Sequence, residues 1–193
     1  MFELKCREDL PKILNQINAK IGVELGVLQG DFSKAILEEW KGDKLYLIDY
    51  WRQDPGMVDA NNGDHNQQLN NMAQTFMNTY FFFGRCCIIK ETSVEAAKLF
   101  QDESLNFIFI DAAHDFFHVT QDLEIWLPKI KKGGVMFGHD YVSGIWNQGE
   151  SSICTNFEVK EAVDKFFKKL EIKVHNTQQY NPEEINPTWW IIK

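Results

Sequence analysis

The stretch FIFIDAAH, residues 107–114, decides the fold. Phe107 to Ile110 are apolar at every position, the composition of a strand buried on both faces, as in a parallel sheet covered by helices. The run stops on Asp111, and His114 follows three residues later. A carboxylate at the edge of such a core is costly unless something pairs with it, so the exit of this strand is where chemistry is to be sought.

Outward from that stretch the same pattern recurs. IGVEL (21–25), KLYLID (44–49), CCIIKE (86–91), LNFIFID (105–111) and GGVMFGHD (133–140) read as strands. Helices are predicted at about 13–17, 32–40, 67–80, 93–100, 118–130 and 156–170, the last strongly amphipathic. IKVHN and TWWIIK close the chain as two more strands, and 50–66 and 143–155 read as polar loops. Alternating strands and helices make an α/β fold with a mostly parallel sheet covered on both sides. In such sheets ligands bind outside the carboxyl ends of the strands. Those ends carry Glu24-Leu25-Gly26, Asp49, Glu91, Asp111 and His139-Asp140, an acid at every exit.

A chain of 193 residues has room for a single domain, 1–193, with a full core. The net charge of −8 lacks the basic footprint of a duplex-binding protein, so no nucleic-acid partner is expected. No apolar run approaches the ~20 residues that span a bilayer, and MFELKCREDLPK has no secretory core. Cys6, Cys86, Cys87 and Cys154 show no structural-zinc spacing, which suits reduced thiols in a cytoplasmic protein.

Gly26 and Gly30 bracket the turn GVLQG between the first strand and its helix. Leu28 and Asp31 stand where a dinucleotide fold wants its second and third glycines, so the tight turn survives and the pyrophosphate cradle does not. Asp49, 23 residues after Gly26, is near the spacing of an acid that takes ribose hydroxyls. The pair points to a ligand with ribose but no phosphate; the alternative is an ordinary turn capped by Ser33 or Asp31.

VELGVLQGDFS resembles the cofactor loop of class I S-adenosylmethionine-dependent methyltransferases, and LYLIDYW their second motif. FIDAAHDFFHVTQDLEIWLPKIKKGGVMFGHDY is similar to the methyltransferase domain 24 type, a relative of the metal-dependent macrolide sugar O-methyltransferases. The resemblance covers about residues 20–192. It implies a Rossmann-like three-layer sandwich with seven strands, the last antiparallel. Glu24 and Gly26 would then flank the methionine part of S-adenosylmethionine, Gly30 would belong to the same cofactor loop, and Asp49 would bind the ribose hydroxyls. Trp51 would cover the adenine, Thr92 and Ser93 would meet its edge, and Asp111 would also touch the cofactor.

Asp111 and Asp140 are 29 residues apart in sequence but stand at the tips of adjacent strands. Two such carboxylates repel unless one is protonated or a cation lies between them. Mg²⁺ answers to the oxygen ligands; His139 as a third donor turns the choice towards Mn²⁺ or Fe²⁺. In the related sugar methyltransferases the three positions bind metal, with an acid where this chain has His139. The alternative is that Asp111 caps a helix and Asp140 ends a strand. His114 matches the family's general base, and imidazole suits taking a proton from a hydroxyl. Family relatives carry an acid at Ala113 and a tyrosine near Phe116, which this chain lacks.

The expected partner is a small-molecule acceptor, a sugar or metabolite hydroxyl, with self-association into a homo-oligomer left open. Trp146 and Phe81 to Phe83 are candidates for a pocket wall. Against metal-assisted O-methylation stand a nicotinamide-dependent oxidoreductase, a relative that oxidises or hydroxylates, and a silent nucleoside-binding module.

Overall fold

The computed structural model describes residues 2–54, 61–147, 154–182 and 186–193, with backbone alone at 146–147 and 154–155. In chain order the elements are α1 (Leu10–Gln16), β1 (Ile21–Leu25), α2 (Asp31–Glu39), β2 (Lys44–Asp49), α3 (His65–Thr79) and β3 (Cys86–Lys90). Then come α4 (Ser93–Ala97), β4 (Leu105–Ile110), α5 (Phe116–Trp126), β5 (Ile130–Gly138), β6 (Gly144–Asn147) and β7 (Cys154–Phe157). α6 (Val159–Lys169), β8 (His175–Asn176) and β9 (Trp189–Ile192) complete the chain.

Helix starts follow local chemistry. Side chains of Asp64, Thr92 and Asp115 accept hydrogen bonds from the first-turn amides of α3, α4 and α5, satisfying donors that have no partner inside the helix. Pro11 opens α1, where a missing N–H costs nothing.

Seven strands form one sheet in the order β3-β2-β1-β4-β5-β9-β8. All neighbours from β3 to β5 pair in parallel, while β9 runs antiparallel to both β5 and β8. The expected Rossmann-like three-layer sandwich with an antiparallel last strand is therefore what the chain adopts. Alternation along β4 sends Phe107 and Phe109 to a core with Trp40, Phe137 and Trp190. Ile108 and Ile110 go to the opposite core with Trp126, Met136, Phe167 and Trp189. Each such side chain removed from water contributes roughly 1.5–3 kcal/mol.

Three expectations need correction. The 143–155 loop contains an antiparallel hairpin, with Gly144 opposite Phe157 and Asn147 opposite Cys154; its polar composition hid the pairing. The strand expected in IKVHN shrinks to His175–Asn176. Phe81 and Phe83 are 89% and 78% exposed, so they wall no pocket, and the side chain of Trp146 lies outside the described residues. No helix among the described residues is long and apolar enough to cross a membrane.

The register fixes the functional edge. Leu25 pairs with Ile48 and with Ile110, and Ile110 pairs with Gly138. Gly26, Asp49, Asp111 and His139, each one step further along, therefore stand side by side where the strand order turns back at β1 and β4. Hydrogen bonds from Gly26 N to Ile48 O, Asp111 N to Leu25 O and His139 N to Ile110 O, at 2.8–3.0 Å, carry the ladder to that edge.

Candidate active site

A cavity of about 770 Å³ opens along this edge, lined by Glu24 to Gln29, Asp49, Thr92, Ser93, Asp111, His114, His139 and Asp140 among others. The structure thus brings together all but two of the expected site residues. Gly30 lies just behind, ending the loop, and Trp51 is not in the lining.

The loop after β1 is shaped by its glycines. Gly26 has φ +81°, and a Cβ there would lie 1.9 Å from the carbonyl oxygen of Asp111. Only glycine permits both the left-handed turn and that approach to the next strand. Gly30 (φ +76°) abuts Thr75 of α3. Asp49 holds the loop from below: Oδ2 accepts from the amides of Val27 and Leu28, and Oδ1 from the Trp51 amide, all at 2.9 Å. Trp51 is 1% exposed, and its Nε1 donates to the Leu28 carbonyl at 2.8 Å. It packs beneath the loop instead of covering a base, because a large apolar ring is worth more in the core than on a wet wall; Tyr50 and Arg52 line the cavity in its place.

Helix α3 straps the loop from outside. Thr75 Oγ1 donates to the Leu28 carbonyl, Gln29 Nε2 to Asn71 Oδ1, and Asn78 Nδ2 to the Gln29 carbonyl, at 3.0–3.1 Å. Sequence reasoning missed this support, although 71, 75 and 78 recur at helical spacing as a polar stripe.

Glu24 is 2% exposed and accepts a 2.6 Å hydrogen bond from Ser33 Oγ. Burial pushes its carboxyl up to about 8, with Asp111 and Asp49 adding to the rise and Ser33 and Arg7 opposing it. It is therefore mostly protonated at neutral pH. At the β3 end, Thr92 caps α4 and Ser93 Oγ donates to Asp122 Oδ1 while accepting from Trp126 Nε1 at 2.7 Å. Burial lifts Asp122 to about 6 against the Ser93 hydrogen bond.

The β4–β5 end carries the acids and imidazoles. His139 Nδ1 lies 3.1 Å from Asp140 Oδ1 and 3.8 Å from Asp111 Oδ2. His114 Nε2 lies 3.0 Å from Asp140 Oδ2, and Asn186 Nδ2 donates to Asp140 Oδ1 at 2.6 Å. Asp140 itself turns left-handed at φ +52°, which aspartate tolerates better than most residues. Burial would raise its pKa, but the hydrogen-bonded imidazoles of His114 and His139 overcome that and hold the carboxyl far below its ordinary range. Burial dominates at Asp111 and pushes it up, against the pull of His139, His114 and Arg7. The ring of His114 lies against Phe157 with centroids 4.5 Å apart, so the unexpected hairpin forms its back wall.

One ligand atom each from Asp111, His139 and Asp140 falls within 4.8 Å of the others. Two carboxylates and an imidazole converging in a partly dry pocket are a donor set that fits a divalent cation. Arg7 is the member that sequence reasoning missed altogether: its Nη1 reaches to 3.4 Å from Asp111 Oδ2. Nothing in RED (7–9) signals a site, since a contact 104 residues away leaves no local pattern.

Comparison with known proteins gives the chain a family and its fold relatives. Residues 23–141 match the profile of a family described as methyltransferase domain. An uncharacterized protein, y4gI, of Sinorhizobium fredii is 22% identical over 132 residues, 66% of this chain, and the chain spans 14% of that relative's length. A Staphylococcus aureus protein provisionally called caffeoyl-CoA O-methyltransferase superposes with a TM-score of 0.69 at 15% identity, over 100% of this chain and 85% of its own. An O-methyltransferase from Bacillus cereus in complex with SAH gives 0.64 at 13% identity, over 97% of this chain and 80% of its own.

Proposed function

The chain belongs to the methyltransferase domain family; from that premise we propose that it is an S-adenosylmethionine-dependent methyltransferase acting on a hydroxyl oxygen of a small molecule, assisted by a divalent cation. One observation carries this: Asp111, His139 and Asp140 converge, with His114 beside them, in the same cavity as the Gly26 loop. A hydroxyl acceptor is also in keeping with the O-methyltransferases among the similar structures.

The Gly26–Gly30 loop seats the cofactor, with Asp49 fixing the loop amides and presenting its carboxylate towards ribose hydroxyls. Glu24 and Asp111 face the amino-acid portion, and Thr92 and Ser93 the base. When bound, S-adenosylmethionine supplies an electrophilic methyl on a cationic sulfonium. Asp111, His139 and Asp140 would hold Mg²⁺ or Mn²⁺, which would supply a positive charge that makes a nearby hydroxyl easier to deprotonate. His114 takes the hydroxyl proton, because a neutral hydroxyl is a poor nucleophile towards a methyl carbon. The Asp140 carboxylate 3.0 Å from Nε2 then stabilises the imidazolium that forms. We take residues 1–193 as one catalytic domain. The thiols of Cys6, Cys86 and Cys87 are free, in keeping with a cytoplasmic setting.

The deciding experiment is a methyl-transfer screen over hydroxylated metabolites and sugars, run before and after exhaustive chelation. Transfer that needs added Mg²⁺ or Mn²⁺ supports the assignment. Full transfer after chelation removes the metal from it.

A further inference from the structure

We propose that Arg7 binds a carboxylate, and specifically the α-carboxylate of the cofactor's amino-acid half, which extends the cofactor assignment above and rests on it. Arg7 lies outside the residues 23–141 that match the family, so family membership assigns it no role.

The cavity wall is acidic, with Asp49, Glu91, Asp111 and Asp140 in the lining. That wall suits a sulfonium and an ammonium but repels a carboxylate. Among the described lining residues only Arg7 and Arg52 carry a fixed positive charge. Arg52 lies over the Tyr50 ring at 5.4 Å, beyond the tip of β2. Arg7 stands at the other side of the Gly26 loop, against Asp111, whose carbonyl the loop touches. An amino acid seated between Glu24 and Asp111 would present its carboxylate there.

The guanidinium is set for such a ligand. Its plane is backed by the Phe32 ring, 4.8 Å from Cζ to the centroid. Nη1 makes a 3.4 Å contact with Asp111, longer than the ~2.7–2.9 Å of a well-formed charge-assisted bond. Nε is buried and finds no hydrogen-bond acceptor among the described residues; Glu8 Oε1 is 3.9 Å away. A planar fork with an unused donor matches the two oxygens of a carboxylate.

The test compares S-adenosylhomocysteine with its decarboxylated analogue, by calorimetry on the full chain. Wild type should bind the decarboxylated compound about 10- to 100-fold more weakly, the size of one charge-assisted hydrogen bond. Arg7→Gln should bind the two compounds within a few-fold of each other. Arg7→Met keeps the apolar stem on Phe32 and serves if the glutamine variant does not fold; it should likewise lose the discrimination. Equal discrimination in wild type and either folded variant would overturn the assignment and leave Arg7 as a partner of Asp111 alone. Wild type binding neither compound would overturn the cofactor assignment itself, and this proposal with it.

Discussion

Replacing Glu24 with Gln should make the protein more stable at alkaline pH and leave it nearly unchanged near pH 5. Glu24 is 2% exposed with its carboxyl raised to about 8 from 4.5. The folded-state value lies above the unfolded one, so the native protein holds a proton that the unfolded chain releases. Stability from this group is complete below about pH 4.5 and is lost as pH rises through 8. The span of roughly 3.5 units corresponds to at most about 5 kcal/mol at 1.36 kcal/mol per unit, and water entry on ionisation trims that to about 3. Glutamine is neutral throughout and still offers an oxygen to the Ser33 hydroxyl. At about 2–4 °C per kcal/mol for a domain of this size, the melting temperature of Glu24→Gln should exceed wild type by on the order of 10 °C at pH 9. Calorimetric melting of both proteins from pH 5 to pH 9 measures this. Parallel curves across that range would mean that Glu24 ionises freely in the folded state, and the buried neutral carboxyl would be wrong.

Removing the imidazole in His114→Ala should lower kcat by about 10²- to 10⁴-fold while S-adenosylhomocysteine affinity stays within about two-fold; unchanged turnover per folded molecule would deny it the role of base. Asp140→Asn should weaken Mn²⁺ binding, followed by calorimetry, by at least about ten-fold, since a charged ligand becomes neutral; unaltered affinity would exclude Asp140 as a ligand. Gly26→Ala meets both a left-handed φ and a backbone oxygen 1.9 Å from the new Cβ. It should cost about 2 kcal/mol or more and abolish S-adenosylhomocysteine binding. A variant with native melting and binding would show the loop to be more pliable than its contacts suggest.

Everything that repeats locally was legible in the sequence. Short continuous apolar runs, helices at period 3.6 and acids at strand exits gave the parallel sheet and the edge at which Asp49, Asp111, His114, His139 and Asp140 assemble. The hairpin β6–β7 was not legible, because its pairing joins residues of mixed polarity that carry no alternation. Tertiary structure alone decided which of several plausible groups meet. It turned Trp51 into the core, seated the His114 ring against Phe157, aimed its Nε2 at Asp140, and carried Arg7 across 104 residues to Asp111. It also decided charge: Glu24 and Asp140 are both carboxylates at strand ends, yet burial keeps the first protonated while two imidazoles keep the second ionised. Periodicity follows from the geometry of one strand or one helix and so is written along the chain. Protonation and pairing depend on the solvent and on partners that only folding brings within a few ångströms.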